Sequence, residues 1–403
     1  MRTILSFAAL FLSVALMQLG SGGLGPLDAL AGAAAGFTTA EIGLLGSAHF
    51  VGFFFGCWAT PRLLGAVGHV RVFAAAAAIA AISALSHPLL LDPFFWAVLR
   101  VGSGAAVACA YTVVESWLQG KATNDNRGRI FSGYRVVDMT ASVGAQTLVA
   151  AVDPGTYVAY NLIAALCCLC LLPLALTRAT PPSFAASPRL RPLRAFRVSP
   201  LGALAVTVVG LTGSSFRMVG PIYAVERGLS AAEVGVFMAS GVAGGALAQW
   251  PAGWLSDRID RRTALSLLSA AALAVCVWIA FGGGAASTVY LAAFLFGAAA
   301  FPLYSVAASH ANDFAGPGEA VELTASLMFL FGMGAIVSPL FAAWLIDGFG
   351  AAALFVYIGA AHLALILFGL WRTLRRPSPQ AKTPHRYLPR TSFILGRLIK
   401  PKR

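Results

Sequence analysis

Long apolar stretches make up most of the chain, and short polar segments separate them. A helix needs about 20 mostly apolar residues to cross the ~30 Å hydrocarbon core of a membrane. Stretches of this length recur twelve times, so the pattern predicts an all-α integral membrane protein with twelve transmembrane helices. The predicted spans are Ile4–Leu27, Ile42–Leu64, Val70–Ser86, Phe94–Leu118, Ile130–Val152, Tyr157–Leu176, Leu201–Tyr223, Val234–Leu255, Ala264–Gly282, Val289–Ser309, Leu323–Ile346 and Ala351–Leu370.

Charge is scarce in this chain and unevenly placed. Charged residues are 11% of the 403 positions, against about 25% in soluble domains. With the N-terminus inside, every Lys and Arg except Arg100, Arg135, Arg217 and Arg227 falls in a cytoplasmic segment. This asymmetry predicts that both termini are cytoplasmic. The net charge of +13 therefore reflects topology and attraction to anionic membrane lipids, and no nucleic-acid partner is predicted.

A short motif occurs twice, before the second and the eighth predicted spans. Gly36-Phe-Thr-Thr-Ala-Glu41 and Gly228-Leu-Ser-Ala-Ala-Glu233 are 192 residues apart. In each copy a Thr or Ser can cap the helix start, and the Glu complements the positive end of the helix dipole. The same cap at equivalent spans predicts two pseudo-symmetric six-helix bundles.

The repeat and the composition together predict four segments. Residues 1–177 form the N-terminal bundle, and residues 201–372 form the C-terminal bundle. Residues 178–200 are a cytoplasmic linker that is too rich in proline for a stable helix. Residues 373–403 form a basic cytoplasmic tail.

Two motifs make the chain resemble the major facilitator superfamily of membrane transporters. The loop after the eighth span resembles that superfamily's cytoplasmic signature, and the fourth span resembles its intramembrane arginine signature. The residues are Gly253-x-Leu255-x-Asp257-Arg258-x-x-Arg261-Arg262 and Arg100-x-x-x-Gly104. Asp260 stands where a glycine is usual, and the Gly-Pro pair of the antiporter signature is absent from the fifth span, which has Ser142-Val-Gly144-Ala-Gln146.

A narrower resemblance links the chain to the YcaD-like subgroup of bacterial transporters. It is carried by Tyr111-x-x-x-Glu115-Ser116-Trp117-Leu118, Asn126-Arg127-Gly128-Arg129, Gln249-x-Pro251-x-Gly253-Trp254 and His310-x-Asn312-Asp313. The resemblance implies the superfamily's fold, a place in the bacterial inner membrane, and secondary transport of a small solute by alternating access. We expect a monomer without a cofactor.

Ionisable residues inside predicted spans are candidates for function, because each costs ~2.5–3.5 kcal/mol to insert at a helix centre. On the fourth span Arg100, Tyr111 and Glu115 share one face, and the fifth span carries a second polar stripe. The second stripe consists of Arg135, Asp138, Ser142 and Gln146. Two such stripes predict a common wet cavity, which in this superfamily lies between the bundles. The Arg135–Asp138 spacing also permits a purely structural pair.

Protons are the expected coupling ion. We expect Glu115 to carry the coupling proton, with Tyr111 one turn away and Asp138 as the next acid to consider. Three further polar residues are expected to face this acid from other spans. They are Gln18, Arg217 and Tyr304.

A cluster of opposite charges at the cytoplasmic ends of the second bundle predicts a gate. The acids are Asp257 and Asp313, and the surrounding basic residues are Arg258, Arg261, Arg262 and His310. An ion-pair network here would hold the inner ends closed and break when the bundles rock apart. As exposed pairs they are expected to contribute only ~0–1 kcal/mol each.

Two other classes of protein compete with a transporter. A receptor or scaffold would not need intramembrane charges or repeated halves. A membrane-embedded enzyme is suggested only by His87-Pro-Leu-Leu-Leu-Asp92, which matches an acyltransferase pattern without a supporting motif. No metal site is predicted, because no His or carboxylate accompanies Cys167, Cys168 and Cys170.

Overall fold

The computed structural model describes residues 7–122, 127–177, 191–282, 286–315 and 320–375. Within these ranges the regular secondary structure is helical. The first half contains α1 (Ala8–Ser21), α2 (Leu24–Ala34), α3 (Thr39–Val67), α4 (His69–Ser86), a 3-10 turn (His87–Leu89), α5 (Pro93–Lys121), α6 (Arg127–Ala150), α7 (Tyr157–Leu169) and α8 (Leu171–Ala175). The second half contains α9 (Pro192–Val198), α10 (Pro200–Glu226), α11 (Ala231–Arg258), α12 (Arg261–Phe281), α13 (Ala286–Ala300), α14 (Leu303–Asn312), α15 (Ala320–Phe349) and α16 (Ala352–Arg375).

The helices account for the predicted spans. Eleven helical segments in the described part of the chain are long and apolar enough to cross a membrane. The fifth predicted span, α6, is a helix of 24 residues that contains the polar stripe with Arg135 and Asp138, and it is the one that falls outside this set. The all-α membrane fold is confirmed.

The first span ends later than predicted, and a two-residue turn interrupts its helix. Its helical segment runs from Ala8 to Ala34, whereas the sequence predicted an end at Leu27. Gly22 and Gly23 separate α1 from α2. The added residues place Asp28 inside a buried helix rather than in an outer loop, and this changes the account of the site below.

The two copies of the repeated motif form the same cap. Gly36 and Gly228 have φ of 85° and 81°, a conformation that glycine adopts without steric cost. The Thr38 N–H donates to Glu41 Oε2 at 2.8 Å, and the Ser230 N–H donates to Glu233 Oε2 at 2.8 Å. Because Thr38 and Ser230 also accept from the Glu amides, both are capping boxes, as the repeat predicted.

Glycines bring two pairs of helices into backbone contact at repeated positions. A Cβ at Gly52 of α3 would lie 1.9 Å from the carbonyl oxygen of Val101 on α5. A Cβ at Gly244 of α11 would lie 1.9 Å from the carbonyl oxygen of Phe294 on α13. Gly244 follows Gly52 by the same 192 residues that separate the capping motifs.

Contacts divide the described residues into two compact units. The first consists of residues 7–37, 48–122 and 127–177, and the second of residues 38–47, 191–282, 286–315 and 320–375. In the second unit, aromatic rings in tilted and edge-to-face contact pack together between α10, α11, α13 and α16. They are Phe216, Tyr223, Phe237, Phe296, Phe301 and Phe355.

Part of the predicted linker is a helix, contrary to expectation. Residues 178–190 lie outside the described residues, and Pro192–Val198 forms α9. Pro192 is compatible with this helix because it occupies the first turn, where its missing N–H has no intrahelical partner. Arg191 Nε and Arg194 Nη1 then lie 3.5 and 3.3 Å from Oε1 of Glu322 on α15. Of the predicted tail, residues 376–403 lie outside the described residues.

Candidate functional site

Three helices of the first unit bring four of the predicted site residues together. Tyr111 of α5 lies between Gln18 of α1 and Asp138 of α6. Its phenol is within hydrogen-bond distance of Gln18 Oε1 and 2.7 Å from Asp138 Oδ1. The second carboxylate oxygen of Asp138 accepts from Arg135 Nη1 at 2.6 Å. We call these four residues the Tyr111 network.

The number of hydrogens that the Tyr111 network can donate depends on whether Asp138 is protonated. A phenol carries one hydrogen, so Tyr111 donates to only one of its two acceptors at a time. A proton on Asp138 supplies a second hydrogen: Asp138 then donates to Tyr111, and Tyr111 donates to Gln18. With Asp138 ionised, Tyr111 donates to the carboxylate, and the Gln18 amide must turn its NH₂ toward the phenol. Tyr111 can form both of its hydrogen bonds in either state, and the two states differ by one proton.

Glu115 lies on the same face of α5 but has a different partner. It is buried, and it accepts a hydrogen bond from the phenol of Tyr134 on α6 at 3.0 Å. Arg135 of the neighbouring helix pairs with Asp138. The two acids of the stripes therefore each contact a tyrosine of the neighbouring helix.

Gln146 contacts the turn that interrupts the helix of the first span. Its Nε2 donates to the carbonyl oxygen of Gly22 at 3.0 Å. That carbonyl lies between α1 and α2, where the regular helical pattern of hydrogen bonds is interrupted. Gln146 therefore stabilises the turn that joins α1 to α2.

Arg100 belongs to a second buried cluster. Its Nε is 3.5 Å from Asp28 Oδ2, and both side chains are almost fully buried. His87 Nε2 is 3.4 Å from the same oxygen, and Tyr160 donates to Asp28 Oδ1 at 3.0 Å. Asp28 lay beyond the predicted end of the first span, so it was not among the predicted site residues. We call these four residues the Asp28 cluster.

The acyltransferase pattern does not form a site. Asp92 Oδ1 accepts from the Phe95 N–H at 2.7 Å and caps α5. His87 is directed at Asp28 rather than at Asp92. The two residues of the pattern therefore have separate structural partners.

Two predicted site residues lie in the second unit. The guanidinium of Arg217 on α10 lies 5.0 Å from the ring centroid of Phe301, a distance at which a cation is attracted to the ring face. Tyr304 of α14 is buried, and its phenol donates to Met328 Sδ at 2.7 Å.

The predicted gate residues meet around Arg261, which begins α12. Its Nη1 is 2.6 Å from Asp313 Oδ1 and donates to the Ser309 carbonyl oxygen at 2.9 Å. Its Nη2 is 3.2 Å from Asp257 Oδ1. The Arg261 and Asp313 side chains are each only 2% exposed, whereas that of Asp257 is 43% exposed. The central pair is thus buried, contrary to the expectation of exposed pairs.

The remaining gate residues lie around this pair. Arg258 stacks over Trp254 with 4.0 Å between the guanidinium carbon and the ring centroid. Asp260, at the position where the signature usually has glycine, accepts from the Arg262 N–H at 2.9 Å and caps α12. His310 of α14 is buried one turn from Asp313.

The chain is similar to a known protein family and to bacterial membrane proteins. The family model described as Major Facilitator Superfamily matches residues 10–321 and 202–402. A YcaD protein of Salmonella newport, named as an uncharacterized MFS-type transporter, is 27% identical over 355 residues, which are 87% of this chain and 91% of that protein. A YcaD protein of Escherichia coli O139:H28 is 28% identical over 356 residues, covering 85% and 90% of the two chains.

Solved structures with the same fold are also transporters. A point variant of the nucleoside transporter NupG superposes with a TM-score of 0.79 at 12% identity and covers 91% of this chain and 99% of its own. A D-xylose-proton symporter gives a TM-score of 0.71 at 15% identity, with 94% and 99% covered. At these identities the likeness shows the fold alone. The sequence relatives confirm the YcaD-like resemblance and indicate a membrane transporter rather than an enzyme.

Proposed function

Because the chain belongs to the major facilitator superfamily, we propose that it is a secondary transporter that couples the movement of a small anionic or zwitterionic solute to protons. The observation that carries this proposal is the Tyr111 network. It places a carboxylate, a phenol and a guanidinium in contact inside an apolar bundle, where unneeded charge is costly. Proton coupling occurs on this fold in the D-xylose-proton symporter.

Asp138 is the proposed coupling group. When it is ionised, it holds Arg135 in an ion pair at 2.6 Å. A proton on Asp138 removes the charge that attracts Arg135, and the carboxyl group then donates to Tyr111. The guanidinium is released to bind an anionic group of the solute. Proton binding and solute binding are linked in this way, because both act on the same ion pair.

Glu115 is the second candidate for the coupling group. Its burial and its hydrogen bond from Tyr134 suit an acid that is protonated in one state of the cycle. Asp138 makes the ion pair with Arg135 on which the proposed coupling depends. We therefore place Glu115 second and separate the two acids by mutation below.

Arg261 is the proposed centre of the cytoplasmic gate. It joins the ends of α11, α12 and α14 through Asp257, Asp313 and the Ser309 carbonyl. One buried guanidinium holds these three helix ends together, so they move together. We propose that they close the cytoplasmic side when the two predicted bundles rock during alternating access.

Paired Trp and Arg side chains support cytoplasmic termini. The pairs are Trp58 with Arg62, Trp254 with Arg258 and Trp371 with Arg375, with guanidinium carbons 4.2, 4.0 and 4.8 Å from the ring centroids. Each pair lies near the C-terminal end of a spanning helix. Trp at a membrane interface beside Arg on the inner side is typical of the cytoplasmic boundary, so we propose a multi-pass inner-membrane protein that contacts anionic lipids there.

Flux measurements in everted vesicles test the proposed function. Vesicles with and without the protein are incubated with a mixture of small organic acids, amino acids and nucleosides, and a pH gradient is imposed and then collapsed. We expect at least one solute to accumulate only with the protein and only with the gradient. Movement that is the same with the gradient collapsed would refute proton coupling.

A further inference from the structure

A pocket in the second unit lies where two helices end and a third begins. The ends of α10 and α12 and the first two turns of α13 each contribute two of its lining residues. These six residues are Tyr223 and Arg227, Trp278 and Ile279, and Val289 and Ala292. Arg261 and the predicted gate lie at the opposite end of α12. We call this the Arg227 pocket, and in the proposed topology it lies on the outer side of the membrane.

Most of the Arg227 pocket is apolar. Ile279, Val289 and Ala292 are buried side chains that carry no polar atoms. The phenol of Tyr223 donates to the carbonyl oxygen of Ile279 at 3.4 Å, so the polar end of this aromatic ring has a partner within the protein. Apolar walls with few polar groups are typical of sites for ligands that are themselves largely apolar.

Arg227 supplies the positive charge of the pocket. A guanidinium has five N–H donors, and among the described residues Arg227 makes one hydrogen bond, from Nη2 to the carbonyl oxygen of Gly282 at 3.4 Å. The carboxylate that precedes it in the sequence, Glu226, accepts from the backbone N–H of Ala351. Because Arg227 is exposed, its remaining donors can reach a ligand.

The place of Arg227 in the sequence also indicates a ligand. In the proposed topology it is the one basic residue in an outer loop, because every other Lys and Arg lies in a cytoplasmic segment or inside a predicted span. Basic residues concentrate on the cytoplasmic side of membrane proteins. Arg227 also interacts favourably with the carbonyl end of α12, but that contact uses only one of its donors.

Aromatic residues place the pocket at the boundary of the membrane. Trp278 lies in its wall and is partly exposed, and Phe281, one turn further along α12, is 77% exposed. Trp is enriched where hydrocarbon meets the lipid head groups. At this depth a phospholipid presents its phosphate group next to the start of its acyl chains.

We propose that the Arg227 pocket binds an anionic phospholipid of the surrounding membrane. The lipid phosphate accepts two parallel hydrogen bonds from the guanidinium of Arg227. One acyl chain lies against Ile279, Val289 and Ala292. A zwitterionic lipid with the same chains binds less tightly, because its ammonium group offsets the charge of its phosphate. The bound lipid joins the ends of α10 and α12 to the start of α13, and it stabilises this end of the second unit.

Photocrosslinking of the full chain tests the site directly. The protein is placed in phosphatidylcholine nanodiscs that contain a small fraction of phosphatidylglycerol with a diazirine in one acyl chain. After irradiation, mass spectrometry identifies the labelled residues. We expect labels on α12 from Trp278 to Gly282 and on α13 from Thr288 to Ala292. Arg227→Gln should lower this labelling by about tenfold, because charge-assisted hydrogen bonds to the phosphate are lost.

A matched control variant and a second lipid probe make the test decisive. Arg197→Gln removes an exposed arginine from α9 of the same unit and should leave labelling of the pocket unchanged. Phosphatidylcholine with the same diazirine chain should label the pocket much less than phosphatidylglycerol. Gel filtration establishes that each variant is folded. Equal labelling by the two lipids would overturn the proposal, and so would equal labelling of native protein and folded Arg227→Gln.

A soluble competitor separates a lipid from a free anion. Millimolar inorganic phosphate should leave the phosphatidylglycerol label in place, because it lacks the acyl chain that contacts the apolar wall. Displacement of the label by inorganic phosphate would overturn the lipid as the occupant. None of these readouts depends on transport, so failure here is distinct from failure of the proposed function.

Discussion

The phenol of Tyr111 on α5 donates to the carboxylate of Asp138 on α6 at 2.7 Å. Gln18 of α1 completes the contact from the other side of the phenol. One hydroxyl group therefore links three helices of the first unit. Its single hydrogen connects the protonation of Asp138 to the hydrogen bonding of α1.

Replacement of this hydroxyl group should impair coupled transport. Tyr111→Phe removes the hydroxyl group that contacts Gln18 and Asp138. Loss of these hydrogen bonds costs the network ~1–3 kcal/mol of free energy. We expect proton-driven accumulation to fall by about tenfold or more, since 1.4 kcal/mol corresponds to a factor of ten. Tyr134→Phe, which removes the hydroxyl from Glu115, is the matched control. Equal uptake rates in Tyr111→Phe and native vesicles would contradict the role of the network.

Sequence reasoning gave the fold and the repeat because their signals are local. The caps at Thr38–Glu41 and Ser230–Glu233 require only residues three positions apart, and both formed as predicted. The stripe on α5 placed Tyr111 and Glu115 on one face by helical spacing alone. A helix period is a property of consecutive residues, so it can be read without the tertiary structure.

The Asp28 cluster was missed because its contacts are not local. Asp28, His87 and Arg100 lie on three different elements, and only packing brings them together. The predicted first span ended at Leu27, one residue before Asp28. His87 was compared with Asp92 by sequence spacing, whereas Asp92 caps a helix. An apolar tract that continues from Leu27 to Ala34 was the available signal for a longer span.

The buried gate pair should be important for stability. Removing one partner of a buried ion pair costs ~3–5 kcal/mol, so Asp313→Asn should lower the thermal unfolding temperature clearly. Asp257→Asn is the matched control, because Asp257 contacts the same arginine but is 43% exposed, and exposed pairs contribute only ~0–1 kcal/mol. Thermal unfolding in detergent measures both. Equal shifts for the two variants would contradict the distinction between a buried and an exposed partner.

The backbone contact between α3 and α5 should tolerate no side chain. A Cβ at Gly104 would lie 2.0 Å from the His49 carbonyl oxygen, so Gly104→Ala must push the helices apart at a cost of ~1–3 kcal/mol or more. Gly213 of α10 has open space around its Cβ position. Gly213→Ala should therefore be neutral or stabilising by up to ~1 kcal/mol, because alanine favours a helix. The yield of monodisperse protein and its unfolding temperature compare the two, and an unaffected Gly104→Ala would show that the contact is looser than described.

The two acids of the stripes should differ in their effect on coupling. Glu115→Gln keeps a hydrogen-bonding group beside Tyr134 and leaves the Arg135–Asp138 pair intact. We expect this variant to retain accumulation that follows the pH gradient, with a rate lowered by less than about tenfold, or ~1.4 kcal/mol. If Glu115→Gln abolished accumulation while Asp138→Asn retained it, the coupling group would be Glu115.

The central claim is that a proton on Asp138 drives transport, and Asp138→Asn tests it most directly. The amide mimics the protonated carboxyl group and cannot release a proton. Proteoliposomes with an imposed pH gradient are supplied with the solute found in the vesicle screen, and accumulation and counterflow exchange are measured in parallel. The account predicts that Asp138→Asn loses gradient-driven accumulation and keeps exchange. Accumulation that still follows the pH gradient in Asp138→Asn would contradict it.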